Sequence, residues 1–335
     1  MVAVTGATGH LGAALVRELL AAGEKVRAIV REGSDLRGLE GLSVELRRAE
    51  LGGSSGGKDG GADGLEHAFA SCDLVYHAAA RISFGPEGGK ALRATNVEGT
   101  LAALRAARAA GVPRFVYVSS IEAFPLASAA GAVAEVMGLD ESGGGLEYGL
   151  TKALATRAVL DAAAEGYDAV VAYPTAIVGP YDFRLSPMGR LVRDFARRAL
   201  PAYVDGGFDF VDVRDVAAGL LLVARRGKRG EGYLLSGHYV EIADLMELLE
   251  GITGVRKPRL DIPAGMLRPF VPLVEFYYGA TGRPPRFTRS SLDILSRRTH
   301  VDSGKARREL GYESRPLEES FRDAVAWFKE HGLLS

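Results

Sequence analysis

The feature that most constrains the fold is a glycine-rich turn that follows an apolar strand at the start of the chain. Met1–Thr5 is predicted to form a buried strand, and positions 6–12, with the sequence GATGHLG, lead into a helix through Leu15, Leu19 and Leu20. In such a strand–turn–helix unit, one glycine permits the tight turn, one lets the backbone approach a phosphate, and one allows the helix to pack on the strand. The N–H groups at the helix N-terminus favour an anion. The pattern predicts a dinucleotide-binding turn.

Strand and helix patterns alternate through the first half of the chain. The further predicted strands are Lys25–Val30, Ser43–Leu46, Asp73–His77, Arg114–Val118 and Ala169–Tyr173, and the long predicted helices are Gly88–Ala110 and Glu147–Glu165. Strands separated by helices form parallel βαβ units. The fold class is therefore predicted to be α/β, a Rossmann doubly wound parallel sheet with helices on both faces.

The predicted domains follow from where this alternation becomes less regular. Residues 1–174 are predicted to form the dinucleotide-binding domain, and residues 175–335 largely a smaller substrate-binding cap. The two parts interleave, because a helix at Val213–Arg225 and a strand at Gly232–Leu235 return segments near 205–235 to the sheet. Gly52–Gly64 contains seven glycines in thirteen residues, which predicts a mobile loop with no assigned function.

Composition excludes several classes of function. The chain has 335 residues, with 41 Lys or Arg and 42 Asp or Glu, so it has no electrostatic basis for binding nucleic acid. Its single cysteine, Cys72, is typical of a cytoplasmic protein. No uncharged apolar stretch reaches the roughly 18 residues of a spanning helix. The apolar segment Ile262–Tyr278, interrupted by Arg268 and Glu275, is predicted to be an amphipathic cap helix, with membrane-surface contact as the alternative.

The residue after the second strand bears on the choice of cofactor. A site for NAD commonly has Asp or Glu there to accept from the ribose hydroxyls, whereas an arginine binds the 2′-phosphate of NADP. The chain has Arg31 at this place, and Arg37 is a candidate second contact. This favours NADP(H), with NAD(H) possible. The alternative is that Arg31 is an ordinary solvated surface residue.

Polar side chains at two places in the chain predict the chemistry. Tyr148 and Lys152 lie at i and i+4 on a predicted helix, so both project from one face. Ser119 and Ser120 end the strand Arg114–Val118, where a hydroxyl can hydrogen-bond a carbonyl or alkoxide. Half-ionising a phenol at neutral pH requires about 4 kcal/mol, which Lys152 and a positively charged nicotinamide are predicted to supply. Tyr148 is thus predicted to be the acid/base of a hydride transfer.

Two other polar residues are predicted to be structural, and no metal ion is predicted. His77 ends an apolar strand and is predicted to be a buried histidine bonded to backbone rather than a catalyst. Asn96 lies in the middle of a predicted helix, where an amide more often holds the structure than takes part in chemistry.

Together these motifs resemble the extended short-chain dehydrogenase/reductase superfamily, also called the NAD-dependent epimerase/dehydratase family, through nearly the whole chain. The matching landmarks are Thr5–Gly12, His77–Ala79, Asn96–Thr100, Val118–Ser120, Tyr148–Lys152, Pro174–Pro180, Val211–Ala217 and Arg308–Tyr312. The resemblance implies Ser120 as the catalytic hydroxyl, Tyr148 as the acid/base, and Lys152 as the residue that holds the nicotinamide ribose and tunes Tyr148. Besides Tyr148, Lys152 and the two arginines, the implied cofactor contacts are Gly6, Thr8, Gly9, His10, Leu11, Gly12, Glu50, Leu51, Ala78, Ala79, Ala80, Ser119, Pro174 and Ile177.

Two positions depart from the family pattern. Glu50 stands where the family usually has the Asp of an Asp-Leu pair, and Tyr173 stands where an arginine often precedes the late proline.

Within the superfamily, the chain looks most like the dihydroflavonol 4-reductase branch, because Arg31 suits NADP and net reduction. Asp205–Val211 also lacks the polar and basic residues with which sugar epimerases tend to hold a diphosphate.

The expected activity is NADP(H)-dependent reduction of a ketone or aldehyde to an alcohol, or the reverse. The alternatives are an NAD-dependent nucleotide-sugar epimerase or dehydratase, and a non-catalytic protein that binds NADP. The expected partner is a small carbonyl or alcohol substrate, in a pocket lined by the aromatic residues Phe84, Phe124, Tyr181 and Phe183. The alternative is that these four residues belong to the core of the cap.

A homodimer is expected through the two alanine-rich helices. The alternative is that these helices pack against the sheet of their own chain. The relevant alanines are Ala102, Ala103, Ala106, Ala153, Ala155 and Ala162.

Overall fold

The centre of the molecule is a parallel sheet of seven strands. The computed structural model describes residues 1–51, 62–82, 89–126, 132–142, 146–267, 269 and 289–334. The strands of this sheet are β1 (Val2–Thr5), β2 (Val26–Val30), β3 (Glu45–Arg48), β4 (Leu74–His77), β5 (Arg114–Val118), β6 (Asp168–Pro174) and β10 (Gly232–Leu235). Their order across the sheet is β10-β6-β5-β4-β1-β2-β3. Strands buried on both faces need a continuous apolar sequence, which β1, β4, β5 and β6 have.

Helices cover both faces of the sheet. The helices are α1 (His10–Ala21), α2 (Ala62–Phe69), α3 (Gly89–Arg93), α4 (Gly99–Ala109), α5 (Glu147–Ala164), α6 (Pro187–Ala196), α7 (Val213–Arg226), α8 (Ile242–Thr253), α9 (Ala264–Leu267), α10 (Arg289–Ser296), α11 (Gly304–Leu310) and α12 (Leu317–Glu330). Helices α1, α7 and α11 share one apolar core with the sheet, and α2, α4 and α5 share another. The predicted Rossmann doubly wound fold is confirmed.

The strand order places a crevice at the carboxyl edge of the sheet. The chain returns from β3 at one edge to β4 beside β1, so the direction of winding reverses between β1 and β4. In register, Thr5 at the end of β1 lies beside His77 at the end of β4, and His77 lies beside Tyr117 of β5. Parallel sheets bind ligands at such a reversal. The glycine turn after β1 and the serines after β5 therefore lie along one edge.

Later segments of the chain return to the central sheet. The strand Gly232–Leu235 pairs in parallel with β6, and α7 packs on α1. A separate sheet of β7 (Ala176–Val178), β9 (Gly207–Asp212) and β11 (His238–Glu241) lies between this layer and the cap helices. The cap also has a two-stranded sheet of β8 (Tyr203–Val204) and β12 (Asp261–Ile262).

Two predicted elements differ from the structure. The single helix predicted at Gly88–Ala110 contains a π-helical turn at Ala94–Glu98 between α3 and α4. The third strand lies at Glu45–Arg48 rather than Ser43–Leu46. It is an edge strand with an exposed side, so its charged residues conceal the apolar pattern on which the prediction rested.

The alanines predicted to form a dimer bundle lie inside the single chain. Ala103, Ala106, Ala153, Ala155 and Ala162 are all buried, and only Ala102 of that set is partly exposed. Their small side chains let α4 and α5 approach the sheet closely, so the packing alternative describes them. None of the helices in the described residues is long and apolar enough to cross a membrane.

Candidate active site

The three glycines of the first turn are required for different reasons. Gly6 has φ +70°, and a Cβ there would lie 2.7 Å from Cα of Ala79. A Cβ on Gly12 would lie 2.0 Å from the carbonyl oxygen of Gly6. At Gly9 the nearest atom would be 3.3 Å away, so this position has room on its outer side. Gly9 is the N-cap of α1 and no side chain caps that helix end. A dinucleotide pyrophosphate fits this cradle, because the helix start offers backbone N–H groups and no competing side chain.

Replacing Gly6 with alanine tests the close approach of backbone at the cradle. Gly6→Ala is expected to abolish detectable cofactor binding and to destabilise the fold by about 3 kcal/mol or more, since it adds a clash with Ala79 to the cost of positive φ. Gly23→Ala is the matched control, because Gly23 has φ +79° with nothing within 4 Å of an added Cβ. We expect the control to cost about 1 kcal/mol and to bind cofactor normally. Chemical denaturation and titration with NADPH measure both; equal behaviour of the two variants would contradict the assignment.

His77 lies buried at the centre of the edge. Its Nδ1 is 2.8 Å from Oγ1 of Thr5, and its Nε2 is 3.0 Å from Oγ1 of Thr100. Burial lowers the pKa of His77 to about 3, with Lys152 as a secondary cause. The prediction that His77 is structural agrees with this geometry, but its partners are two threonine hydroxyls and not backbone groups. The imidazole joins β4 to β1 and α4 because one ring nitrogen can donate while the other accepts.

Asn96 holds the π-helical turn in place. Its side-chain amide donates to the carbonyl of Arg81 and to Oγ1 of Thr151, and its side-chain oxygen accepts from the N–H of Arg81. The extra residue of a π turn directs this side chain towards α5. Asn96 thereby connects the segment after β4 to the helix that carries Tyr148.

Arg31 and Arg37 lie at the other end of the cradle and differ in their contacts. Arg31 is exposed just after β2, and its backbone forms a turn with Ser34. The guanidinium of Arg37 donates to Asp35 at 2.7 Å and to the carbonyl of Phe183 at 3.2 Å. Hydrogen bonds from Arg37 lower the pKa of the Asp35 carboxyl to about 2. Arg37 already has a carboxylate partner, so Arg31 is the better candidate for a phosphate.

Glu50 and Leu51, two of the implied cofactor contacts, follow β3. Glu50 is exposed. Leu51 is partly buried, and a Cβ added to Gly99 would lie 3.2 Å from its Cβ, so Leu51 packs on the start of α4. His10, in the first turn of α1, hydrogen-bonds through Nε2 to the carbonyl of Pro180 at 2.9 Å. That contact joins the cradle to the segment after β7.

Ser120 and Tyr148 meet at the end of β5. Tyr148 is buried in the first turn of α5 and hydrogen-bonds to the side chain of Ser120. The Ser120 hydroxyl also accepts the N–H of Glu122 at 3.2 Å, so its position is fixed by the 3₁₀ turn Ile121–Ala123. The pair presents two hydroxyl groups at the carboxyl edge, which can donate to a single substrate oxygen.

Without cofactor, the protein environment makes Tyr148 less acidic than a free phenol. Burial raises the pKa of Tyr148 to about 12; the hydrogen bond from Ser120 opposes this, and the charge of Glu122 adds to it. Desolvation is the largest of these effects, and the lowering of this pKa by Lys152 with a bound nicotinamide stays a prediction for the cofactor complex. In the protein alone, Tyr148 is a neutral phenol that can donate a proton.

Lys152 lies one turn further along α5 and is 2% exposed. Its Nζ donates to the carbonyl oxygen of Val118 at 2.6 Å and lies 4.7 Å from the centre of the Tyr117 ring. Burial lowers the pKa of the Lys152 ammonium to about 7. The side chain is thus held beside the end of β5 by contacts of its own.

Ser119 differs from its neighbour Ser120. Its Oγ lies 2.6 Å from Oγ1 of Thr156, which in turn donates to the carbonyl of Lys152. Thr156 was not predicted, although its place four residues after Lys152 could have indicated a hydroxyl on the same face of α5. Ser119 therefore connects the end of β5 to α5 through a hydrogen bond.

The aromatic residues predicted to line a substrate pocket are packed elsewhere. Phe124 is 3% exposed and contacts Tyr173 with ring centres 4.8 Å apart, so it is a core residue. Phe183 packs against Trp327 of α12 with ring centres 4.7 Å apart, and Tyr181 stacks under the guanidinium of Arg17. These rings join α12 to α1, as the cap-core alternative anticipated. Phe84 lies outside the described residues, as does most of Gly52–Gly64.

Pro174 and Ile177 flank the start of the second sheet. Pro174 is the last residue of β6, and Ile177 lies partly buried in β7, in register with Val211. Between them, Thr175 donates to the buried carboxylate of Asp209 at 2.7 Å. The turn that carries both predicted residues is therefore fixed to β9.

The protein has the topology of a Rossmann sheet, a glycine cradle after β1, and the hydroxyls of Ser120 and Tyr148 at the carboxyl edge. Together these features define a dinucleotide-binding protein of the kind that performs oxidoreductase chemistry. A model of the NAD dependent epimerase/dehydratase family matches residues 2–236, and the chain belongs to this family.

Similar proteins extend over nearly the whole chain. Sterol demethylase protein B of Methylococcus capsulatus is 40% identical over 335 residues, which cover 99% of each chain. Dihydroflavonol 4-reductase of Hordeum vulgare is 28% identical over 78% of this chain and 76% of that protein. The crystal structure of a nucleoside-diphosphate-sugar epimerase from Pseudomonas aeruginosa is 28% identical with a TM-score of 0.80, covering 100% of this chain and 99% of that one. Extended short-chain dehydrogenases of the dihydroflavonol 4-reductase type are thus among its relatives.

Proposed function

We propose that the protein is an NADP(H)-dependent oxidoreductase that reduces a ketone or aldehyde to an alcohol, or performs the reverse reaction, with Tyr148 as the acid/base. The observation that carries this proposal is the buried Tyr148 phenol, hydrogen-bonded to Ser120 at the sheet edge that also carries the glycine cradle. A hydroxyl pair there can hold a carbonyl oxygen and deliver a proton to it.

The proposed roles of the chain's own groups follow from their chemistry. Ser120 donates to the substrate oxygen and holds it next to Tyr148. In reduction, the Tyr148 O–H bond breaks and the substrate O–H bond forms; in oxidation the proton moves back. A bound nicotinamide supplies or accepts the hydride. Lys152 occupies the position from which its Nζ can reach a nicotinamide ribose while remaining bonded to Val118. Since the protein raises the pKa of Tyr148, the residue begins as a proton donor, which favours the reductive direction.

The proposed cofactor contacts lie along the same edge. Gly6, Gly9 and Gly12 form the pyrophosphate cradle, and the amides at the start of α1 point their dipole at it. The small residues Ala78 and Ala79 lie against Gly6 after β4, and exposed Arg31 is proposed to bind the 2′-phosphate.

Charge reversal at Arg31 tests the choice of NADP. Arg31→Asp is expected to weaken NADPH binding by about 30-fold or more and to improve NADH binding, because a 2′-phosphate loses a charged donor and meets a carboxylate. Arg37→Gln is the matched control, with a change under about threefold, since Arg37 is engaged by Asp35. Fluorescence titration with both dinucleotides measures the ratio. An unchanged ratio in Arg31→Asp, or wild-type protein with no preference for NADPH, would remove the assignment.

The names of two relatives lead us to propose an apolar substrate that contains rings. Those names refer to a sterol and to a dihydroflavonol. The runner-up, a nucleotide-sugar epimerase or dehydratase, is supported by the family name and the Pseudomonas structure. Within β9, the rings of Phe208 and Phe210 lie 5.7 Å apart and offer no charge to a diphosphate, which favours the reductase. NAD that copurifies, or isotope exchange without net cofactor turnover, would instead indicate the epimerase.

Assembly and location remain predictions. A cytoplasmic homodimer is proposed, although the buried alanines of α4 and α5 do not supply its interface. A monomeric mass in solution at micromolar concentration would contradict the dimer.

A further inference from the structure

A partly buried pair of opposite charges lies beside the proposed proton donor. Nη1 of Arg297 is 3.7 Å from Oε2 of Glu122, and the two side chains are 16% and 13% exposed. Glu122 belongs to the 3₁₀ turn that follows Ser120, whereas Arg297 follows α10 in the cap. The pair therefore joins the cap to the loop that begins at Ser120.

The backbone of Glu122 lies against the turn of α5 that carries Tyr148. The N–H of Glu122 donates to Ser120 Oγ, and a Cβ added to Gly149 would lie 2.4 Å from the carbonyl oxygen of Glu122. The first turn of α5 thus packs directly on the 3₁₀ turn. Because the two elements are in contact, the charge of Glu122 acts on Tyr148.

The charged and titratable groups around Tyr148 are few. Ser120 and Glu122 act on it from the loop, Tyr117 faces it from β5, and Lys152 lies one turn along α5. Within the described part of the chain, Arg297 is the cation that offsets the charge of Glu122. A carboxylate that loses its cation is left with an uncompensated negative charge, which disfavours the phenolate at Tyr148.

We infer that Glu122 and Arg297 are positioning residues that set the charge beside Tyr148, so that the cap controls the proton-transfer step through Arg297. This inference rests on the proposed function, since it assigns the pair a role in the reaction of Tyr148. The charge of Glu122 makes it harder for Tyr148 to lose its proton. Arg297 compensates that charge and so eases the loss.

The test compares Arg297→Gln, Glu122→Gln and the double variant. The first readout is the pH titration of tyrosinate absorbance with NADP bound, taken for each protein as the difference from the same protein carrying Tyr148→Phe. Relative to wild type, the titration should move to higher pH in Arg297→Gln and to lower pH in Glu122→Gln. The second readout is kcat/KM in both directions: Arg297→Gln should slow alcohol oxidation about tenfold at neutral pH and ketone reduction under about threefold, because only oxidation needs the phenolate.

The double variant and two controls complete the test. Arg297→Gln should have no further effect in the Glu122→Gln background, since the charge it compensates is gone. Arg297→Lys should restore most of the wild-type oxidation rate. Arg298→Gln, at the next residue, whose exposed side chain pairs with Asp205 and Glu241, should leave both readouts unchanged.

Three results would overturn the inference: titrations that do not move, titrations that move in one direction for both single variants, and an Arg297 effect that persists without Glu122. If Arg297→Gln does not unfold cooperatively, Arg297→Lys takes its place in the comparison. Loss of alcohol oxidation in Arg297→Lys without a shift of the titration would also contradict the inference. Titration does not require turnover, so wild-type protein that turns over no alcohol or carbonyl but titrates as expected would contradict the proposed function alone.

Discussion

Tyr148→Phe is expected to lower the rate of carbonyl reduction by about 100- to 10,000-fold, the range typical of losing a general acid. The phenol is the proposed proton donor, and phenylalanine keeps the ring while removing the hydroxyl that bonds to Ser120. The dissociation constant for NADPH should change less than about threefold, because the glycine cradle and Arg31 are untouched. Single-turnover oxidation of NADPH and a binding titration measure the two quantities separately.

The pH dependence of the wild-type protein adds a second check on Tyr148. Since its pKa is raised to about 12, the phenol is protonated across the neutral range. We expect ionisation of Tyr148 to leave the rate of reduction unchanged near neutral pH, and the rate of alcohol oxidation to rise as pH increases, because oxidation needs the deprotonated form. Tyr167→Phe is the control: this hydroxyl donates to the carbonyl of Val112, away from the edge, and its loss should spare turnover. Substantial activity in Tyr148→Phe would refute the assignment of the acid/base.

Lys152→Met is expected to make the protein more stable and less active. Burial lowers the pKa of Lys152 to about 7 from 10.5, so the unfolded chain binds a proton that the folded chain lacks between these values. Stability of the wild type therefore rises with pH through this window, and the cost of the lysine is fully present below about pH 7. Methionine fills the same space without a charge. We expect a gain of about 2 kcal/mol near neutral pH, after the lost hydrogen bond to Val118 is subtracted.

The same substitution removes the side chain proposed to hold the nicotinamide ribose. We expect catalysis to fall by about 100-fold or more and NADPH binding to weaken. Thermal unfolding of the cofactor-free protein near neutral pH and near the upper end of the window measures stability; the gain should shrink as pH rises. Lys25→Met, at an exposed lysine, is the control and should change neither stability nor rate appreciably. A variant that is less stable at every pH would show that the buried ammonium is not a cost to the fold.

Local sequence determined the parts of the protein whose causes are local. The glycine motif predicted the turn after β1, since Gly6 and Gly12 are needed for backbone contacts within or next to one βα unit. Apolar runs predicted the buried central strands within one or two residues. Tyr148 and Lys152 were expected on one helix face because four residues make about one turn, and α5 has both buried.

Tertiary structure decided what depends on distant neighbours. Burial, which no spacing reveals, is the main reason that the protein alone raises the pKa of Tyr148. Phe124 is buried against Tyr173, and Tyr181 and Phe183 are partly buried against Trp327, because the fold brings rings from remote elements to them. Arg297 lies 175 positions from Glu122 in the chain, yet the two charges are 3.7 Å apart. Periodicity and motif spacing describe backbone geometry over a few residues, whereas desolvation and Coulomb energies are set by whatever the folded chain brings within a few ångströms.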